Sequence, residues 1–347
     1  MQSTNVFKEN PNISLSIVII SRNEEANIAR TIESVIQIAE LWRGTELLLV
    51  DSNSTDNTIA IAAQYPISIL RLKPSWFLSA AAGRFIGTKF TKGDLIQFID
   101  GDMALDHNWL DHALRYAQRN PSAAVIGGYR RDIHLNNGKI ASEVDWGRDP
   151  LGRQLEVKYI GGAMLCRRPA ILEVGGFQPY LKSEEEVDLC MRLRFAGYKI
   201  VYLPHLVCRH YCIPIDSLES SKRRFRHNLW LGYGQVPRYY LKTPMLWTYL
   251  LERGTFVIPL IGLLASIFII IWSCITKNIF IVELWFLMAV SIIIIVAIKK
   301  QSLRRAYISL VNRILVTISA VRGFFMRSRL QSEYPTDAEV VKNYSDE

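Results

Sequence analysis

Two long apolar runs near the C-terminus constrain the fold of this chain more than any other feature. From Phe256 to Ile275 about twenty residues carry no charge, and from Ile279 to Ile298 about twenty more carry only Glu283, each enough to span a bilayer as a helix. The Thr276-Lys277-Asn278 link is so short that the two spans must form a hairpin with both flanks on one side. Lys299, Lys300, Arg304 and Arg305 follow at once, and Arg313, Arg322, Arg327 and Arg329 come later. By the positive-inside rule that side is the cytosol.

The formal net charge of +9 therefore has a membrane explanation before a nucleic-acid one. Leu303 to Phe325 mixes apolar and basic residues as an interfacial helix would. The alternative, a third span, would place Arg313 near the centre of the hydrocarbon. Upstream, Trp230, Tyr233, Tyr239, Tyr240, Trp247 and Tyr249 suit the membrane interface, and Arg223, Arg224 and Arg226 could clamp a diphosphate or, the favoured reading, touch lipid head groups. Met1 to Pro11 is polar, without the basic and apolar regions of a signal peptide, so the residues ahead of the hairpin are expected in the cytosol. The expected location is the inner, cytoplasmic membrane, multi-pass, with the large domain facing the cytosol.

Five scattered cysteines, an odd number, fit a reducing compartment. His205, Cys208, His210 and Cys212 lie close together, but their spacing is unlike a structural zinc site. An extended segment would also distribute them over both faces.

The N-terminal part alternates strand and helix. Ser14 to Ile20 is apolar and rich in β-branched residues, while Glu24 to Ala39 places Ile28, Ile32, Val35 and Ile36 on one helical face. Glu46 to Val50, about Asp56 to Gln64, Ile67 to Leu72, Ala80 to Phe90 and Leu95 to Ile99 repeat the scheme. Such a series predicts an α/β domain with a mostly parallel sheet and helices on both faces. The expected order is a polar tail over 1–13, the α/β domain over 14–228, an aromatic interfacial segment over 229–255, two transmembrane helices over 256–298, and a basic amphipathic segment with a cytosolic tail over 299–347.

In such a sheet the turns after successive strands converge on one edge, where ligands bind. Asp51 directly follows the Glu46-Leu-Leu-Leu-Val50 run and could accept hydrogen bonds from a base or ribose; Asp56 suits either ligand binding or helix capping. Leu95 to Ile99 ends in Asp100-Gly101-Asp102, which is ordinary turn chemistry or a pair of hard oxygen ligands for Mg²⁺ or Mn²⁺. Arg84, in the preceding helix, could reach phosphate oxygens or remain a surface cation. Gly161-Gly162-Ala163 would let backbone approach a ligand closely, or mark a bulge. Glu184-Glu185-Glu186-Val187-Asp188 opens a helix, where acids favour the positive end of the dipole.

The segments SIVIISRNEEANIARTIESV, ELLLVDSNSTDNT, GDLIQFIDGDM, GGAMLCRRPAILEVGGF and EEEVDLCMRLRFAGYKIVYLP occur in this order between Ser14 and His210. Together they resemble a family 2 glycosyltransferase with the GT-A fold, here followed by a transmembrane helical hairpin. The resemblance implies an inverting, metal-dependent transferase that moves a sugar from a nucleotide-diphosphate donor to an acceptor hydroxyl. It implies that Asp51 and Glu24 hold the nucleoside, that Asp100 and Asp102 form the metal and ribose-diphosphate pair, and that His210 completes metal or diphosphate binding. The family reads Glu-Asp-x-Asp where this chain has Glu185-Glu186-Val187-Asp188, so Glu186 stands at the catalytic acid, with Glu185 and Asp188 as alternatives.

Two spans beside a cytosolic domain suggest an acceptor in the membrane, a lipid-linked saccharide or other glycan intermediate in cell-surface polysaccharide or glycoconjugate synthesis. A polyprenyl-phosphate glycosyltransferase is the nearest alternative. A non-catalytic nucleotide-sugar-binding scaffold of a polysaccharide assembly complex is the alternative of another class.

Overall fold

The structure, a computed structural model, describes residues 14–136, 139–212 and 218–344. The chain divides into two compact units, residues 1–213 with 329–347, and residues 214–328. The strands and helices of the first unit begin with β1 (Leu15–Ser21), α1 (Ile28–Ala39), β2 (Glu46–Asp51), α2 (Thr58–Ala62), β3 (Ser68–Arg71), α3 (Ala80–Phe90) and β4 (Leu95–Asp100). They continue with β5 (Met103–Leu105), α4 (Trp109–Arg119), β6 (Ala123–Asn136), β7 (Lys139–Trp146), β8 (Leu155–Glu156), β9 (Met164–Arg167), α5 (Arg168–Glu173), α6 (Glu185–Phe195) and β10 (Lys199–Cys212).

The apolar run of β1 forms a central strand because both its faces are covered. Ile17 and Ile19 pack with Ile28 and Ile32 of α1 and Trp109 of α4, whereas Val18 and Ile20 pack with Phe85 and Ile86 of α3 and Leu189 of α6. A strand buried on two sides reads as a continuous apolar run. The strands β3, β2, β1 and β4 are parallel, and β9 then runs antiparallel between β4 and β6. Beyond it β10 is parallel to β6 and carries β5 on its far side, antiparallel. The sheet is thus mixed, with its parallel half at the N-terminal part of the chain.

The stretch 299–347, expected as one basic segment and tail, is divided between the units. Residues 329–344 belong with the first, where β11 (Glu339–Lys342) pairs antiparallel with β3. The Tyr334 ring is buried against Trp76, Phe85 and Tyr180, and its hydroxyl donates to the Phe77 carbonyl at 2.9 Å. Gln331 Nε2 donates to the Phe177 carbonyl, and Lys342 Nζ to those of Ala63 and Tyr65. This return segment completes the edge of the sheet.

The second unit is helical: α7 (Leu218–Arg226), α8 (Gly232–Tyr239), α9 (Met245–Arg253), α10 (Val257–Thr276), α11 (Phe280–Lys300) and α12 (Leu303–Phe325). The expected aromatic segment 229–255 therefore contains two helices. Three helical stretches are long and apolar enough to cross a membrane, Met245–Thr276, Phe280–Lys300 and Leu303–Phe325. Helices α10 and α11 form the expected hairpin, turning at Lys277 with φ 52° and joined by a Trp285 Nε1 to Ser266 Oγ hydrogen bond of 3.0 Å. Helix α8 crosses α12 where Gly234 meets the Ala320 carbonyl and Gly323 meets that of Leu231, approaches that leave no room for a Cβ.

Candidate active site

Sheet register gathers the predicted acids at one edge. Ser21 lies beside Asp51, and Ile20 beside Asp100, so the ends of β2, β1 and β4 are level. Gly101 permits this closeness, because a Cβ there would stand 2.9 Å from the Ser21 Cβ. From the other direction β10 pairs with β5, setting His210 opposite Met103 and next to Asp102.

The β1–β2 corner is internally satisfied. Asp51 is fully buried; its Oδ1 accepts from the Ser54 N–H at 2.7 Å, and its Oδ2 from Ser54 Oγ and Ser21 Oγ at 2.5 and 3.2 Å. Asp56 accepts from the Thr58 N–H and hydroxyl and from the Glu25 N–H. Asn23, with φ 56°, accepts from the Thr55 N–H. Both acids thus brace the turns, and Asp51 presents no free surface to a nucleoside. Glu24 sits between the corners. Burial pushes its carboxyl up to about 7, with Asn27 opposing and Asp102, Asp100 and Asp56 adding to the rise.

The β4 corner is built around Arg84. Ser79 caps α3 by accepting from the Ala82 N–H, and Gly83 and Gly87 let the helix press onto Ile20 and Val18 of β1. Arg84 is consequently only 1% exposed, with Nη1 2.5 Å from Glu185 and Nη2 2.9 Å from Asp100 and 3.1 Å from Glu186. The guanidinium of Arg84, expected to reach phosphate oxygens, is buried among three acids. One cation among three carboxylates leaves excess negative charge, which favours proton retention. Burial raises Glu185 to about 8, with Glu186 adding and Arg84 opposing; Asp100 is raised by burial as well.

The acid run of α6 separates by direction. Glu185 turns inward to Arg84, and Asp188 forms a buried pair with Arg192 at 2.6 Å on its own helix. Asp188 is therefore outside the acid cluster. Glu186 keeps 18% of its side chain exposed, and its Oε1 accepts from the Gly162 N–H at 3.1 Å. Gly162 has φ 75°, a backbone conformation that favours glycine, and a Cβ on Gly161 would lie 3.7 Å from the Glu186 carboxylate.

His210 bridges two acids, with Nε2 3.2 Å from Asp102 Oδ2 and Nδ1 2.9 Å from Asp132 Oδ1. Burial opposes its charge, yet hydrogen bonding with Asp102, Cys212 and Asp132 holds it up at about 11. Ligand atoms of Asp132, His210 and Cys212 all lie within 4.8 Å of one another. Carboxylates beside an imidazole are a donor set that fits a divalent cation, and the half-exposed Asp102 is open to it. The four-residue zinc cluster does not assemble, because His205 stacks on His112 and Cys208 is buried beside Met103.

Asp132 is the residue that sequence reasoning missed. It lies on β6, and its pairing with β10 places it directly beside His210. Arg130 Nε donates to it at 2.8 Å. No motif marks it; the sole signal is an acid within the otherwise apolar and basic run of a long strand.

A mixed sheet with helices on both faces and its acids gathered at one edge is an architecture of the GT-A kind, in which ligands bind at the ends of the strands. Residues 16–181 match the family model of glycosyl transferase family 2. The chain is 28% identical over 210 residues to the pre-mycofactocin glycosyltransferase of Mycobacterium tuberculosis, covering 56% of this chain but only 42% of that protein. It is also 28% identical over 217 residues to the UDP-Glc:alpha-D-GlcNAc-diphosphoundecaprenol beta-1,3-glucosyltransferase WfgD of Escherichia coli, covering 62% and 83% of the two chains. The structure of a mannosyltransferase from Pyrobaculum calidifontis in complex with GDP-Man and Mn2+ superposes with a TM-score of 0.59 at 13% identity, covering 90% of this chain and 87% of that one. That likeness is one of fold.

Proposed function

We propose that the protein is a membrane-anchored inverting glycosyltransferase that moves a sugar from a nucleotide-diphosphate donor to a hydroxyl of a lipid-linked saccharide or related glycan intermediate. The observation that carries this reading is the convergence of Asp100, Asp102, His210 and Glu186 at one sheet edge. Asp102 and His210 are the residues to hold a divalent cation, Mg²⁺ or Mn²⁺, with Asp100 beside them for the diphosphate or ribose. When bound, such a cation neutralises the charge of a leaving diphosphate.

Glu186 is the general base of the proposal. An inverting displacement needs one group to take the acceptor proton as the sugar carbon is attacked. Glu186 is the half-open acid of the three in α6, held by Arg84 and the Gly162 N–H so that a free oxygen can face an incoming hydroxyl. Glu185 and Arg84 position it. The acceptor class draws support from WfgD, whose name specifies a diphosphoundecaprenol acceptor, and from the three apolar helices. The active face is assigned to the cytosol on the basic flanks of α11 and α12.

The test is metal-dependent release of nucleoside diphosphate from a panel of sugar donors by the full chain in membranes. Glu186→Gln is expected to lose turnover while retaining donor affinity. Donor binding by the parent protein without turnover on any lipid-linked or soluble acceptor would favour the scaffold instead.

A further inference from the structure

A cavity lies entirely within the helical unit. It measures about 310 Å³ and is lined by Lys300, Arg305 and Arg313, together with Tyr233, Ser309 and Asn312. Phe256, just before α10, borders it too, and Lys300 is the last residue of α11. The cavity therefore sits at the end of the hairpin where the chain enters and leaves, opposite the Lys277 turn. For a hairpin that crosses a bilayer, this is head-group depth.

Its charge is unbalanced. The acids of residues 218–328 are Glu219, Glu252 and Glu283, and none lines the cavity. Among the described residues no carboxylate pairs with Lys300, Arg305 or Arg313. Arg313 is the eleventh residue of α12 and lines the same cavity as Lys300 and Arg305, so three cations meet at one place beside the base of the hairpin. Asn312 adds a buried amide oxygen with no hydrogen-bond partner. The amide can present either end by a flip, so it offers a donor as readily as an acceptor.

We propose that this cavity binds the phosphate or diphosphate group of a lipid. Two guanidinium forks and an ammonium match phosphate oxygens in charge and in hydrogen-bond geometry. The Ser309 hydroxyl adds a neutral donor, and the volume suits a small polar group rather than an entire saccharide. The inference deepens the proposed acceptor class and rests on that reading only for its purpose: the site would hold the lipid carrier whose glycan is extended.

The test uses the full chain in phosphatidylcholine nanodiscs. Farnesyl diphosphate is titrated as the probe, with inorganic phosphate and phosphatidylglycerol as competitors. The expected result is saturable binding weakened about tenfold or more in Arg313→Gln and Arg305→Gln, retained in Arg313→Lys, and unchanged in Lys277→Gln at the other end of the hairpin. Competition by phosphatidylglycerol at equal strength would support the site and assign it to membrane phospholipid. Competition by inorganic phosphate at equal strength would support a phosphate site that ignores the lipid chain. Binding unchanged in both Gln variants, or no binding of any of the three probes by the parent, would overturn the proposal. Thermal shifts with UDP and GDP on the same samples separate this outcome from failure of the transferase reading, since donor binding does not require the cavity.

Discussion

The β1–β2 corner and the β4–β10 corner occupy the same edge of one sheet, yet they spend their acids in opposite ways. At the first, Asp51 and Asp56 are saturated by backbone N–H groups and hydroxyls of their own turns. At the second, Asp100, Glu185 and Glu186 share one guanidinium, and Asp102 and Asp132 share one imidazole. A satisfied acid stabilises the fold and offers little to a ligand. Crowded acids raise one another's proton affinity and leave a site that gains from an added cation.

This contrast is sharpest in the response to losing one carboxylate. Asp102→Ala is expected to lower kcat/KM by about 10³-fold, the scale of removing a principal electrostatic group, with little change in melting temperature. Asp51→Ala should do the reverse in kind. It strands the Ser54 N–H and two hydroxyls in a buried turn, costing about 3 kcal/mol in urea unfolding. Equal loss of stability in the two variants would erase the distinction between the corners.

Smaller effects test the second corner from within. Asp132→Asn should weaken Mn²⁺ binding by about 10- to 100-fold, because Asp132 holds the imidazole through Nδ1 and leaves Nε2 toward Asp102. Metal titration followed by the paramagnetic signal of free Mn²⁺ checks it. The smallest expected effect concerns pH. Glu185 has a folded-state value near 8 against 4.5 for the free side chain, so the folded state binds the extra proton. The stability this contributes is complete below about pH 4.5 and is lost as pH rises through 8. Unfolding of the parent and Glu185→Gln should accordingly diverge in favour of the variant from pH 5 to 8; parallel curves would show that Glu185 stays ionised beside Arg84.

The strands of the parallel half and the C-terminal hairpin were legible because both follow from local patterns. Apolar β-branched runs separated by helical periodicity announce β1 to β4, and a twenty-residue apolar run has few other homes. Asp100-Gly101-Asp102 was legible as a candidate for the same reason, lying at the end of such a strand. The roles of Glu185, Glu186 and Asp188 were not. Neighbouring helical residues point about 100° apart, so adjacent acids meet different surroundings that no local pattern encodes. Tyr334 and β11 were also hidden, since four residues of strand and one aromatic ring show no periodicity until β3 and Phe85 supply their partners.

The sequence by itself determined the alternating α/β domain, the family likeness, the helical hairpin and the positions where acids end strands. These depend on the period of apolar residues and on short motifs, which are properties of neighbours along the chain. Only the tertiary structure decided which acids are spent on the fold and which remain open. It buried Arg84 beneath three of them, brought Asp132 to His210 from 78 residues away, and returned residues 329–344 to the sheet. Burial and charge pairing are set by residues distant in sequence, and they decide whether a carboxylate serves as a brace, a ligand or a base.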